Sequence, residues 1–183
     1  DPKLNGTGIP VVAFDLYRAD DLPAEMRMLG YIVGKKSQAD RYLEWFGGVA
    51  DVVSQKISTI PENKRTQVYL EGASDLKTYT KGKGGDLACT MAGGVNIASE
   101  LAGYYPEVES EWVMLQNPEV IVRLTQPSEI PCGYAIDDPS GFVAKSDEII
   151  ARTGWSNITA VKDDRVYMLL YEFGASPGVP VAI

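Results

Sequence analysis

Three short apolar runs, "QVYLE" at 67–71, "EVIVRL" at 119–124 and "RVYMLL" at 165–170, constrain this chain most. Each has the length and β-branched or aromatic character of a strand. Each is separated from the next by stretches with helical spacing. Strands joined through helices cannot close as hairpins, so the pattern predicts an α/β fold with a mostly parallel sheet. The helices predicted between them lie around Asp86–Met91, Ser110–Gln116 and "KSDEIIAR".

The region before residue 61 has a different character. "GIPVVAFDL" (Gly8–Leu16) reads as a buried strand. Asp20 or Asp21 can cap a following helix with Pro23 in its first turn, and Gly34 with Lys35 and Lys36 reads as its stop. From Ser37 onward, Ala39, Tyr42, Leu43, Phe46, Val49, Ala50, Val53 and Ile57 form a stripe at a period of 3.6. A helix of that length reaches roughly 30 Å, long for a small α/β unit. Gly47-Gly48 in its middle predicts a closely packed neighbour. It reads either as a core helix or as a strut between two lobes.

Composition removes several kinds of chemistry. There is no histidine, which excludes Ser-His and Cys-His catalysis and His-ligated zinc or haem. A net charge of −8 disfavours nucleic acid and anionic membranes as partners. Cys89 and Cys132 are too few for a four-cysteine metal site; they form a disulfide or remain buried thiols.

"KGKGGDLACT" (Lys81–Thr90) lacks the Lys-Ser/Thr pair of a P-loop and the spacing of GxGxxG. It reads as a turn with Asp86 capping a helix, or as a ligand-facing loop at the carboxyl end of a strand. In the second case Lys77, Lys81 and Lys83 meet an anion and Tyr79 offers a flat face. Glu111 falls in the first turn of a short helix, where the helix dipole favours a carboxylate. The acidic pairs Asp137-Asp138 and Asp163-Asp164 read as solvated turns, so no metal site is expected.

Taken in order, "GIPVVAFD", "LGYIVGKK", the long helix, "AGGVNIA", "YPEVESEWVMLQNPEVIV" and "GWSNITAVKDDRVYML" resemble the substrate-binding proteins of ABC importers for iron–siderophore complexes, haem and vitamin B12. That resemblance covers nearly the whole chain. It implies two α/β lobes joined by a rigid long helix, with a Rossmann-like carboxyl-terminal lobe at 61–183, a helical linker at 19–60, and 1–18 as the last strand of a lobe otherwise outside this chain. It also implies that the final helices of the carboxyl-terminal lobe lie outside the chain, and that the protein is extracytoplasmic, periplasmic or on the cell surface, with a lipid anchor possible upstream.

Gly93-Gly94-Val95-Asn96-Ile97 matches the family's "GG-x-NI" turn. Glu111 matches a glutamate that, in the family, engages arginines of the membrane permease. The partners so implied are an ABC permease with its ATPase and a small metal chelate or oxyanion, bound by a monomer without turnover or cofactor. The cleft should be lined by loops at the carboxyl ends of strands. There Tyr79, Tyr134, Tyr171 and Phe173 can stack on a flat ligand, and Lys81 and Arg123 can pair with its oxygens. Two alternatives stand beside this: a molybdate- or tungstate-binding member of the same class, and a non-transport α/β lobe related to nitrogenase-type cluster proteins.

Overall fold

The computed structural model describes residues 2–4, 6–16, 18, 20–132 and 136–174. The first helix, α1, spans Leu22–Ile32, with proline in its first turn, and the chain turns after it at Gly34, whose φ is 66°. Helix α2 spans Lys36–Ser58, 23 residues. It begins one residue before the expected cap at Ser37, and no side chain caps it. The Lys36–Asp40 ion pair at 2.6 Å lies in its first turn, on exposed side chains where it contributes little.

The α/β lobe follows: β1 (Gln67–Glu71), α3 (Asp86–Met91), β2 (Val95–Asn96), α4 (Ser110–Gln116), β3 (Val120–Thr125), α5 (Ser140–Ile150), one turn of helix α6 (Thr159–Lys162), β4 (Val166–Leu170) and α7 (Tyr171–Gly174). The strands form one sheet in the order β2-β1-β3-β4, and every pairing is parallel. The α/β, parallel-sheet expectation is met. β2 joins the sheet through a two-residue stretch too short to announce itself in sequence.

Alternation within the strands divides the sheet into two faces. Tyr69 and Ile121 enter a core with Val113, Ile149, Trp155 and Ile158, all of them nearly or fully inaccessible. Val68, Leu70 and Leu124 point the other way, against Tyr79 and Cys89. On that second face a groove of about 270 Å³ remains between the sheet and α3, lined by Val68, Val120, Val122, Leu169, Ala92 and Lys64 among others.

The helical segment is seated on the lobe through α3. Leu22 of α1 and Phe46 of α2 pack on Ala88, with Met91 beside them. The end of α2 rests on the turn after α3. Gly93 there has φ 81°, and a Cβ on it would lie 2.7 Å from Ile57 Cγ1. A Cβ on Gly94 would lie 2.8 Å from Cys89 Sγ and 2.9 Å from Val68 Cγ2. The glycine pair is therefore a contact surface, where a side chain would separate helix, turn and sheet.

Two expectations fail. Residues 8–15 form no regular secondary structure and pair with no strand among the described residues, and Ile9, Val11 and Val12 are 58%, 56% and 52% exposed. A strand needs a neighbour for its N–H and C=O groups, and none lies beside this run among the described residues. Nor, among the described residues, does anything pack at Gly47-Gly48: a Cβ on either would meet none of their atoms within 4 Å. Trp45 and Val52 on α2 are 45% and 56% exposed.

Candidate functional site

In a parallel sheet, the loops leaving the carboxyl ends of the strands lie on one edge, and ligands bind there. Glu71 ends β1 and sits in register with Arg123 of β3. Both side chains project to the Tyr69–Ile121 face and are completely buried. Arg123 Nη1 donates to Glu71 Oε1 at 2.7 Å and to Asp75 Oδ1 at 2.9 Å. Its Nη2 donates to the Ala73 carbonyl at 2.7 Å and to Glu129 Oε1 at 2.5 Å.

Arg152, just past α5, completes the cluster. Its Nη1 and Nη2 reach the two oxygens of Glu71 at 2.6 and 2.9 Å. Its guanidinium lies 4.6 Å from the centre of the Trp155 ring. Lys145 of α5 reaches Asp75 at 3.0 Å. Arg123, Arg152 and Lys145 thus face Glu71, Asp75 and Glu129, with the exposed Glu148 also on Lys145 at 3.1 Å, and the cluster around Arg123 is close to neutral. Burial opposes charge on Arg123 and Arg152, but the carboxylates outweigh it and hold both pKa values above the ordinary arginine range. Burial likewise opposes the charge on Asp75, yet Lys145, Arg152 and Arg123 hold its carboxyl below the usual range.

The expectation that Arg123 pairs with ligand is corrected here. Both of its terminal nitrogens are occupied by protein acceptors, and its buried Nε lacks a partner. The signal in the sequence was a charge at an inward position of an apolar strand, which calls for a buried counter-charge. Its partners Glu71 and Asp75 lie 52 and 48 residues away in sequence and carry no local pattern, while Glu129, six residues on, stands in the following polar loop.

Tyr79 is also corrected. It is 6% exposed, its ring 4.9 Å from that of Tyr105, and it belongs to the core. Asn96 of β2 holds this loop in place. Its Nδ2 donates to the Tyr79 carbonyl at 2.8 Å and to Asp86 Oδ1 at 2.9 Å, while its Oδ1 accepts from the Ala98 N–H at 3.0 Å. Asp86 does not cap α3. It is the helix's first residue, and its carboxylate accepts from the Gly82 N–H at 2.6 Å. The asparagine of "GG-x-NI" is a clip for the Gly-rich loop.

What that loop presents outward is different. Lys81 is exposed, Lys83 stands 5.2 Å from the Tyr104 ring, and Lys77 stands 6.0 Å from that of Tyr105. Tyr104 is 59% exposed. The sequence reading missed Tyr104 and Tyr105, because an isolated bridge between Lys77 and Glu107 brings their loop beside the lysines. Tyr171 and Phe173 in α7 are half-buried after β4, at the same edge. Tyr134 lies outside the described residues.

Glu111 is exposed in the first turn of α4, and no ion pair to it is present among the described residues. Its neighbour Ser110 accepts a hydrogen bond from the Trp155 indole N–H at 2.7 Å, which fixes the start of the helix. Both cysteines are buried, and burial with the nearby Asp86 pushes the Cys89 thiol up to about 12. Among the described residues no group of acidic or cysteine side chains is arranged to hold a metal, and no helix is long and apolar enough to cross a membrane.

The chain is similar to the molybdate-binding protein MolA of Haemophilus influenzae, at 26% identity over 163 residues, covering 88% of this chain and 41% of MolA. The structure of MolA bound to molybdate superposes with a TM-score of 0.75, at 22% identity, over 99% of this chain and 57% of MolA. YvrC of Bacillus subtilis, an ABC transporter substrate-binding lipoprotein, is 26% identical over 168 residues, 90% of this chain and 48% of YvrC. The TroA-like periplasmic binding protein FepB of Veillonella parvula gives a TM-score of 0.80 at 20% identity, over 100% of this chain and 55% of FepB. The chain spans less than half the length of the curated relatives it matches. The periplasmic binding protein family model matches residues 1–170, and this chain belongs to that family.

Proposed function

We propose that this chain forms the long helix and carboxyl-terminal lobe, 19–60 and 61–183, of an extracytoplasmic substrate-binding protein. The protein captures a metal chelate (an iron–siderophore complex, haem or a corrinoid) and delivers it, as a monomer and without turnover, to an ABC permease and its ATPase. The observation that carries this reading is the family match over residues 1–170. The surface at the carboxyl ends of the strands supports the ligand class. Lys77, Lys81 and Lys83 supply cations there, and Tyr104 supplies an exposed ring. Flat or oxygen-rich anions suit that combination. Tyr171 and Phe173 flank it from α7; Arg123 and Tyr79 support it from beneath.

A second reading is a molybdate or tungstate ligand, favoured by the 26% identity to MolA over 88% of the chain. Calorimetry on the intact protein with a ferric siderophore, haemin, cobalamin and molybdate distinguishes the two. Binding of none of the four would overturn the proposal. For Glu111 we propose permease docking. Glu111→Ala should leave ligand affinity unchanged and cut uptake at least about tenfold, as the loss of a charge pair at an interface does. Unchanged uptake would remove that role.

A further inference from the structure

Leu76 has φ 56°, a left-handed conformation disfavoured for leucine. Such strain persists only where the surroundings over-determine it. Here the surroundings are the buried ion cluster: Glu71 Oε2 accepts the Leu76 N–H at 3.2 Å, and three residues earlier Arg123 Nη2 holds the Ala73 carbonyl at 2.7 Å. That same nitrogen reaches Glu129, which lies in the other loop, after β3, and whose second oxygen accepts from Thr125 Oγ1 at 3.0 Å. One guanidinium thus bridges the loops that leave the two central strands. Asp75 extends the bridge to α5 through Lys145 and to Arg152 at 3.4 Å.

We propose that Glu71, Arg123 and Arg152 are positioning residues. They form a hub that holds loops 72–78 and 126–130 in a fixed mutual geometry before ligand arrives, with Asp75 and Glu129 as its loop-side arms. That these loops face ligand rests on the function proposed above. The hub lowers the ordering needed at the moment of binding, because the loops are already in place. Its mark is coupling between loops: loss of an arm in one loop loosens the other.

Asp75→Asn and Glu129→Gln test this, since each removes a charge from a partly exposed carboxylate, 47% and 24% accessible, and spares the buried centre. Hydrogen–deuterium exchange on the ligand-free intact protein should show each variant exchanging about tenfold faster in both loops. Calorimetry should show about tenfold weaker affinity for whichever of molybdate and haemin the wild type binds, in the range seen when supporting residues are removed. Glu148→Gln, at the solvent end of the Lys145 pair, should alter neither. Faster exchange confined to the variant's own loop would overturn the hub, as would loosened loops with unchanged affinity. If the wild type binds neither probe, a ferric siderophore and cobalamin take their place; if it binds none of the four, the functional reading fails, and the exchange pattern alone decides on the hub.

Discussion

Replacing Glu71 with glutamine keeps the shape of a fully buried side chain and removes its charge. In the native cluster that carboxylate accepts from Arg123 at 2.7 Å, from Arg152 at 2.6 and 2.9 Å, from the Tyr69 hydroxyl at 3.3 Å and from the Leu76 N–H at 3.2 Å. Glutamine offers one oxygen, and its amide N–H groups must face a guanidinium that also only donates. The cluster moves from balance to an excess positive charge. Breaking a buried pair in this way costs about 3–5 kcal/mol, against a total of about 5–15 kcal/mol for a typical domain. With a urea m-value of about 2 kcal/mol/M, the midpoint should fall by roughly 1.5–2.5 M. Urea unfolding followed by tryptophan fluorescence measures this, since Trp155 lies against Arg152. The double variant Glu71→Gln/Arg152→Met restores charge balance and should be more stable than Glu71→Gln alone. A shift below about 0.4 M for the single variant, or a double variant as unstable as the sum of the two singles, would refute the account of the cluster.

The pH dependence of stability should carry two limbs. Asp75 is held below its ordinary range, so its contribution is present above the unfolded value of about 3.9 and is lost as pH falls through the lower folded value. Lys145, raised by Asp75 and Glu148 against the effect of burial, contributes fully below the unfolded value of about 10.4 and loses its contribution as pH rises through the higher folded value. Between those limits these two groups leave the urea midpoint flat, and Asp75→Asn should flatten the acid limb. The Cys89 thiol, pushed up to about 12, should react with an aromatic disulfide reagent at pH 8 far more slowly in the native protein than in urea; equal rates would contradict its burial. Gly94→Ala places a methyl within 2.9 Å of Val68 and Cys89 and should cost about 1–3 kcal/mol in the same urea assay.

Strands and helices were legible where a pattern was local. "QVYLE", "EVIVRL" and "RVYMLL" are strands because short apolar runs bounded by polar turns have few other uses, and α2 is written in its stripe. "GIPVVAFDL" has the same local signature and forms no strand, because strand pairing depends on a partner that the run itself does not encode. The site divided in the same way. Lys81 and Glu111 are exposed as expected, since a polar residue in a polar loop or on a first helical turn has one obvious place. Arg123 and Tyr79 were misplaced because a cation and an aromatic ring serve a ligand and a core equally well. Their partners decide which, and those lie 48 and 52 residues away for Arg123.

Trp155 joins the two surfaces to which ligand and permease are assigned in the proposed function. Its face takes Arg152, and through Arg152 the ion hub under the cleft loops. Its indole N–H takes Ser110 and so sets the first turn of α4, where Glu111 stands. With Tyr69 edge-on at 6.2 Å, this side chain is wholly enclosed. Packed interiors move between discrete arrangements and do not deform continuously. On the proposed function, a lobe tied through one buried indole therefore carries loops 72–78 and 126–130 and the helix that bears Glu111 as a unit. On the proposed function, a permease that distinguishes loaded from empty protein must read the position of the whole lobe relative to its surroundings. The seam open to such movement is the contact of α1 and α2 with α3 and its following turn, where Phe46 meets Ala88 and Ile57 rests on Gly93.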